Sequence, residues 1–288
     1  MHEVQPGYDA VVRRAQALAV ARPALVQYVE IGTSEADGRP IPCLRIGDFS
    51  RDLPLLFITG GTHGSEENGR ATTIAFAEWL AGAGTVPGFE DGSAFIDKLN
   101  AVVIPCVNPD GSILNIYHNG VDKNIYRSFR HRQESTTAEG RAVEAYANEV
   151  LPDCIIDVHG LAGGAMGDSQ YVHPSLLSSG MSLEYGLRAS AEMNAAAWTL
   201  GFPQRHPHIR PFDKTGDGLP PKFAGETNAL AFTVEITEKY RPLVSSVRSG
   251  LARLKALVGI GVRVNELQPY PGFPCDVITG GPMFALLP

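Results

Sequence analysis

The sequence predicts an α/β fold in which a largely parallel sheet is covered on both faces by helices. Two observations carry that reading. Short apolar runs rich in β-branched residues alternate along the chain with longer segments of helical periodicity, the order expected of βαβ units. The runs LPLLFITGG and AVVIPCVNPDG are apolar throughout rather than alternating, as strands are when both of their faces are buried.

Each element has its own local signal. Residues from Tyr8 to about Ala21 carry helical apolar spacing, and ALVQYVEIG alternates as a strand. After the turn TSEADGRP come the strands IPCLRIG and LPLLFITGG, the second ending in glycines. THGSEENGRATTIAFAEWLAGAG then reads as a glycine-rich turn feeding a helix of about four turns. AVVIPCV is a buried strand, and Asn-Pro-Asp-Gly after it combines strong turn formers. NIYHNGVDKNIYRSFRHR is expected as a long surface loop, followed by a helix from about Thr137 to Val150 and the strand DCIIDVHG. Residues from about Gly160 to Glu226 are rich in glycine and proline, with one helix near Ser182 to Gly201. LAFTVEIT is the last strand and Pro242 to Val258 the last clear helix.

Composition narrows the function classes. A chain of 288 residues without a convincing linker or repeat is expected to form one domain over residues 1–288. Its apolar content of 44%, charged content of 19% and net charge of -7 are those of a globular protein and argue against a nucleic-acid partner. The start, MHEVQPGYDAVVRR, lacks the basic and apolar regions of a secretory signal, and no stretch of about 18 apolar residues is present to span a membrane. A soluble, cytoplasmic protein that is not made as a zymogen is expected. Cys43, Cys106, Cys154 and Cys275 are widely spaced without a CxxC pair and read as reduced core residues.

Three residues point to metal chemistry. His63 and Glu66 lie three apart at a strand-to-helix turn, where an imidazole and a carboxylate can converge on one point. Alone, such a pair also describes a solvated helix start. His159, ending the apolar run IIDV before a glycine, supplies a third ligand at the sheet edge. Two histidines and a glutamate with a fourth position open to water form the donor set of a catalytic zinc site. Hydrolysis there needs a proton carrier, and Glu235, an acid amid the strand FTVEIT, fits that role. His206 and His208 flank a proline in an extended loop and carry little weight as ligands. His173, Tyr171 and Tyr240 are further pocket candidates.

The segments EIGTSEADGRPI, GGTHGSEE, VNPDG, NGVDKN, IDVHG and FTVEIT, in this order, resemble the zinc carboxypeptidase family over most of the chain. The resemblance implies a three-layer α/β/α fold with a mixed, largely parallel central sheet of about eight strands. It implies one Zn²⁺ per chain on His63, Glu66 and His159, with Glu235 as general base and acid. It further implies that Asp122 orients a ligand histidine from outside, the alternative being a turn carboxylate that caps its own loop.

Departures from the family pattern are as informative. The family places arginine directly after the asparagine of GVDxN to grip a substrate carboxylate, whereas Ile125 follows Asn124 here. Nor does any arginine lie between Asp110 and Asn124 to stabilise an oxyanion. Arg127 and Arg130 are the expected substitutes, with Asn124 and Arg127 binding substrate and Arg127 also acting in catalysis. Three readings follow. The first is a metallocarboxypeptidase-like hydrolase acting on small peptides. The second is an N-acyl amino acid amidohydrolase of the succinylglutamate desuccinylase/aspartoacylase type, disfavoured by the short tail after Glu235. The third is a zinc-binding pseudoenzyme, disfavoured by Glu235 itself. The oligomeric state is open.

Overall fold

A computed structural model describes residues 7–161, 168–173, 181–202, 208–209, 217–227, 229–237 and 242–266. Helix α1 (Tyr8–Ala21) precedes β1 (Val26–Thr33), β2 (Pro40–Ile46) and β3 (Leu55–Gly60). Next come α2 (Glu67–Leu80), β4 (Asn100–Ile104), α3 (Pro109–Leu114), α4 (Ile125–Ser128) and α5 (Ala138–Val150). The chain continues through β5 (Cys154–Leu161), β6 (Ser169–His173), α6 (Met181–Thr199), β7 (His208–Ile209), α7 (Leu219–Glu226), β8 (Leu230–Thr237) and α8 (Leu243–Glu266).

The strands form one eight-stranded sheet in the order β1-β2-β4-β3-β5-β8-β6-β7. Its centre, β4-β3-β5-β8, is parallel, while β1, β2 and β6 join through antiparallel pairs. Alternation along the central strands divides the core in two. Leu56 and Ile58 of β3 point into a large apolar cluster with α1, α2, α6 and α8, whereas Leu55 and Phe57 point into a second with α5 and α7. Burial on both faces accounts for the unbroken apolar runs of the sequence.

The structure departs from the sequence expectations in three places. Asn108-Pro109-Asp110-Gly111, expected as a turn, opens α3, because Asn108 accepts a hydrogen bond from the Gly111 N–H at 2.9 Å and Pro109 occupies the first helical turn. The expected surface loop contains α4, and Asn119, Ile125, Ser128 and Phe129 within it are buried. Helix α7 lies inside the glycine- and proline-rich region, its two prolines at the start where no amide hydrogen is missed. Cys43, Cys106 and Cys154 are free and buried. The side chains of His206 and His208, and residues Tyr240 and Cys275, lie outside the described residues. No helix among the described residues is long and apolar enough to cross a membrane.

Candidate metal centre

The turn between β3 and α2 carries His63 and Glu66. It packs backbone to backbone against α3, since a Cβ on Gly64 would meet the Gly111 carbonyl carbon at 2.1 Å. Gly69, one turn into α2, lets that helix close on β5, where a Cβ would stand 2.4 Å from the Val158 oxygen. The guanidinium of Arg70 reaches back to bind the Gly64 carbonyl and ties the turn to the helix. His63 and Glu66 are thereby brought to the C-terminal edge of the sheet, where β5 delivers His159.

The three side chains are buried and mutually in contact. His63 Nδ1 is 2.8 Å from Glu66 Oε1, His159 Nδ1 is 2.9 Å from Glu66 Oε2, and the two Nδ1 atoms are 3.2 Å apart. The Gly160 N–H donates to Glu66 Oε2 at 3.1 Å. On the far side of the ring, His159 Nε2 meets Asp157 Oδ2 at 2.7 Å, and Thr59 and Thr62 donate hydroxyl bonds to Asp157 Oδ1 at 2.8 and 2.9 Å. Asp157 is fully buried yet well supplied with partners.

The electrostatics fit a cation at this point. Burial works against the charged form of each group, but neighbours outweigh it. Asp157 and Glu66 raise His159 well above its usual range, while His159 and His63 bring Glu66 down to about 2. Asp157 is also held below its usual range, burial being overcome by His159 and the two threonines. With its proton on Nε2, donated to Asp157 in a hydrogen bond, His159 presents an Nδ1 lone pair to a carboxylate and to the other imidazole. Lone pairs that face each other this closely need a proton or a metal between them. Two nitrogens bound about 2.05 Å from a tetrahedral zinc stand about 3.3 Å apart, close to the separation found here. The donors present therefore fit Zn²⁺.

Other expected residues are distributed differently. Glu235 sits on β8 directly opposite His159 in the parallel ladder, so both side chains leave the same sheet face. Asp122 does not reach a ligand histidine. It adopts φ 60°, its side chain is 92% exposed, and it pairs with His118 Nδ1 at 2.7 Å. The tight turn from Asn119 aims it outward, and Asp157 holds the position on a ligand that Asp122 was expected to hold. Asn124 accepts from the Arg127 N–H at 3.0 Å, capping α4. Arg127 and Arg130 are exposed, and Arg130 Nε is 3.9 Å from Asp217 Oδ1. His173 is buried and bonded to Thr233 Oγ1 at 2.9 Å, and Tyr171 is half-buried on the same strand.

Two aromatic rings absent from the expected set frame the centre. Tyr117 lies flat on His63, with centroids 3.7 Å apart and planes at 18°. Tyr126 stands edge-on to His159 at 5.2 Å. Burial, followed by the charge of Glu66, raises the Tyr117 phenol, and Glu235 acts in the same direction.

A family model for zinc carboxypeptidase matches residues 11–145. Carboxypeptidase B of Astacus astacus is 30% identical over 105 residues, 36% of this chain and 32% of that protein, so the chain spans about a third of its length. A metallo-carboxypeptidase from Burkholderia cenocepacia superposes with TM-score 0.70 at 18% identity, covering 87% of this chain and 68% of that one. Bovine thrombin-activatable fibrinolysis inhibitor, solved with tick carboxypeptidase inhibitor, gives TM-score 0.68 at 15% identity, covering 90% and 97%. At such identities the structural likeness is one of fold.

Proposed function

From a chain that matches zinc carboxypeptidases over residues 11–145 and shares the metallocarboxypeptidase fold, we propose a zinc-dependent hydrolase. Its substrate is a small peptide or related molecule, cut at an amide bond next to a carboxylate-bearing residue. The observation that supports this most is the convergence of His63, Glu66 and His159, whose ligand atoms all lie within 4.8 Å of one another.

His63 and His159 offer Nδ1 and Glu66 a carboxylate oxygen to one Zn²⁺. When bound, the ion supplies Lewis-acid chemistry, lowering the pKa of water and polarising a carbonyl. Asp157 keeps the His159 proton on Nε2, leaving Nδ1 free to ligate. Glu235 is the proton carrier, accepting a proton from water and returning it to the leaving amine. Arg127 and Arg130, the arginines that follow Asn124, are assigned the substrate carboxylate, for which a guanidinium fork is suited.

Metal analysis and kinetics test this together. About one zinc per chain is expected, lost on chelation and lost in His63→Ala/His159→Ala. Glu235→Gln should keep the metal and lower kcat by about 10²-fold or more. A panel of peptides and N-acyl amino acids, each with a free or amidated carboxyl, identifies the substrate class. Full turnover by Glu235→Gln, or turnover without metal, would overturn the proposal.

A further inference from the structure

Tyr117 stands in an unusual relation to the metal centre. Its ring covers one face of His63 at 3.7 Å, and its carbonyl accepts the Gly64 N–H at 3.2 Å, within the turn that carries His63 and Glu66. The residue is therefore fixed at its backbone and at its ring face.

The two ligand histidines are oriented by different means. His159 is held through Nε2 by Asp157. His63 Nε2 is buried and has no hydrogen-bond partner among the described residues. A ligand imidazole ordinarily has its far nitrogen engaged by a carboxylate, carbonyl or water, which sets the plane of the ring. At His63 it is the flat aromatic contact of Tyr117 that meets the ring.

We infer that Tyr117 is a positioning residue for the metal, clamping the His63 ring in the orientation that aims Nδ1 at the ion. The inference rests on the zinc reading above. The stacked ring, rather than the hydroxyl, is the active part, because it is the ring that touches His63.

The test is zinc affinity, measured by competition with a chromophoric chelator on purified, metal-stripped protein, with Co²⁺ absorption bands as a second readout. Tyr117→Ala should weaken zinc about tenfold, the lower end of what loss of an orienting partner costs, and should alter the Co²⁺ bands. Tyr117→Phe keeps the ring and should stay within about threefold of wild type with unaltered bands. Ile116→Ala, at an exposed neighbouring position, should change neither. The inference is overturned if Tyr117→Ala holds zinc as tightly as wild type. It is also overturned if Tyr117→Phe loses as much as Tyr117→Ala, which would assign the effect to the hydroxyl. Wild-type protein that takes up no zinc would fail the hydrolase reading and this inference together, and that result is visible before any variant is made.

Discussion

Asp157→Asn is the sharpest perturbation of the metal centre, because it changes one atom without changing shape. In the native protein Oδ1 accepts from Thr59 and Thr62, while Oδ2 faces His159 Nε2. An asparagine cannot serve both sides. With its oxygen toward the threonines, its NH₂ faces Nε2, which must then accept, and the histidine proton moves to Nδ1, where ligation requires a lone pair. With its oxygen toward His159, the NH₂ opposes two hydroxyl donors in a buried site. Loss of such an outer partner costs 10- to 100-fold in metal affinity, or about 1.4–2.7 kcal/mol. Chelator competition should read that loss directly. The gap in melting temperature between zinc-loaded and stripped protein should shrink by roughly 3–5 °C, at about 2 °C per kcal/mol for a chain of this size. Asp122→Asn is the matched control, since that carboxylate is exposed and bonded to His118. Unchanged zinc affinity in Asp157→Asn, or an equal loss in Asp122→Asn, would refute the assignment.

Two further predictions concern stability. Lys222 is buried, donating from Nζ to the Arg130 and Gln133 carbonyls at 3.0 and 2.7 Å and lying 3.1 and 3.2 Å from the Glu144 and Glu226 carboxylates. Lys222→Met leaves these acceptors uncompensated and should cost about 3–5 kcal/mol in urea unfolding, and a loss under about 1 kcal/mol would show that solvent reaches them. Burial raises the Asp153 carboxyl from 3.8 to about 6. Because the folded state holds this proton more tightly than the unfolded state, its contribution is full below about pH 4 and lost as pH rises through about 6, roughly 3 kcal/mol in all. Asp153→Asn should abolish that loss while keeping an acceptor for the Leu55 N–H, 2.7 Å from the native carboxylate. A difference between wild type and variant that is equal at pH 4 and pH 7 would contradict it.

The strands and long helices were legible because both rest on periodicity. The first helix, Tyr8–Ala21, coincides with its apolar spacing, and the buried strands announce themselves as unbroken apolar runs. Local chemistry was less legible where one residue type serves two purposes. Asn108 and Pro109 signal a turn and a helix start equally well, and Pro220 and Pro221 mask α7 although proline suits a first turn. His63, Glu66 and His159 could be named because ligand chemistry restricts the residue types. Asp157 could have been found by strand alternation, being two residues before His159 and so on the same face. Tyr117 had no comparable signal, because its contact with His63 depends on how residues 115–124 fold back over the β3–α2 turn. Asp122 was misplaced for the same reason, its direction being set by a left-handed φ that the sequence does not announce for an aspartate.

The pairing of His159 with Glu235 across the β5–β8 ladder has a bearing on how such a protein could diversify. Neighbouring strands are spaced about 4.8 Å apart by their amide bonds, so the separation of His159 from Glu235, the proposed proton carrier, is gauged by the backbone, as by the teeth of a comb. Asp157 and Thr233 form the next tooth back, and Thr59 lies opposite Asp157 on β3. Arg127 and Arg130, by contrast, ride on a connection outside the sheet. Exchanging that connection for one of different length or charge leaves the comb untouched, so under the proposed function substrate preference can drift, or be grafted, while the proposed catalytic residues stay in gauge.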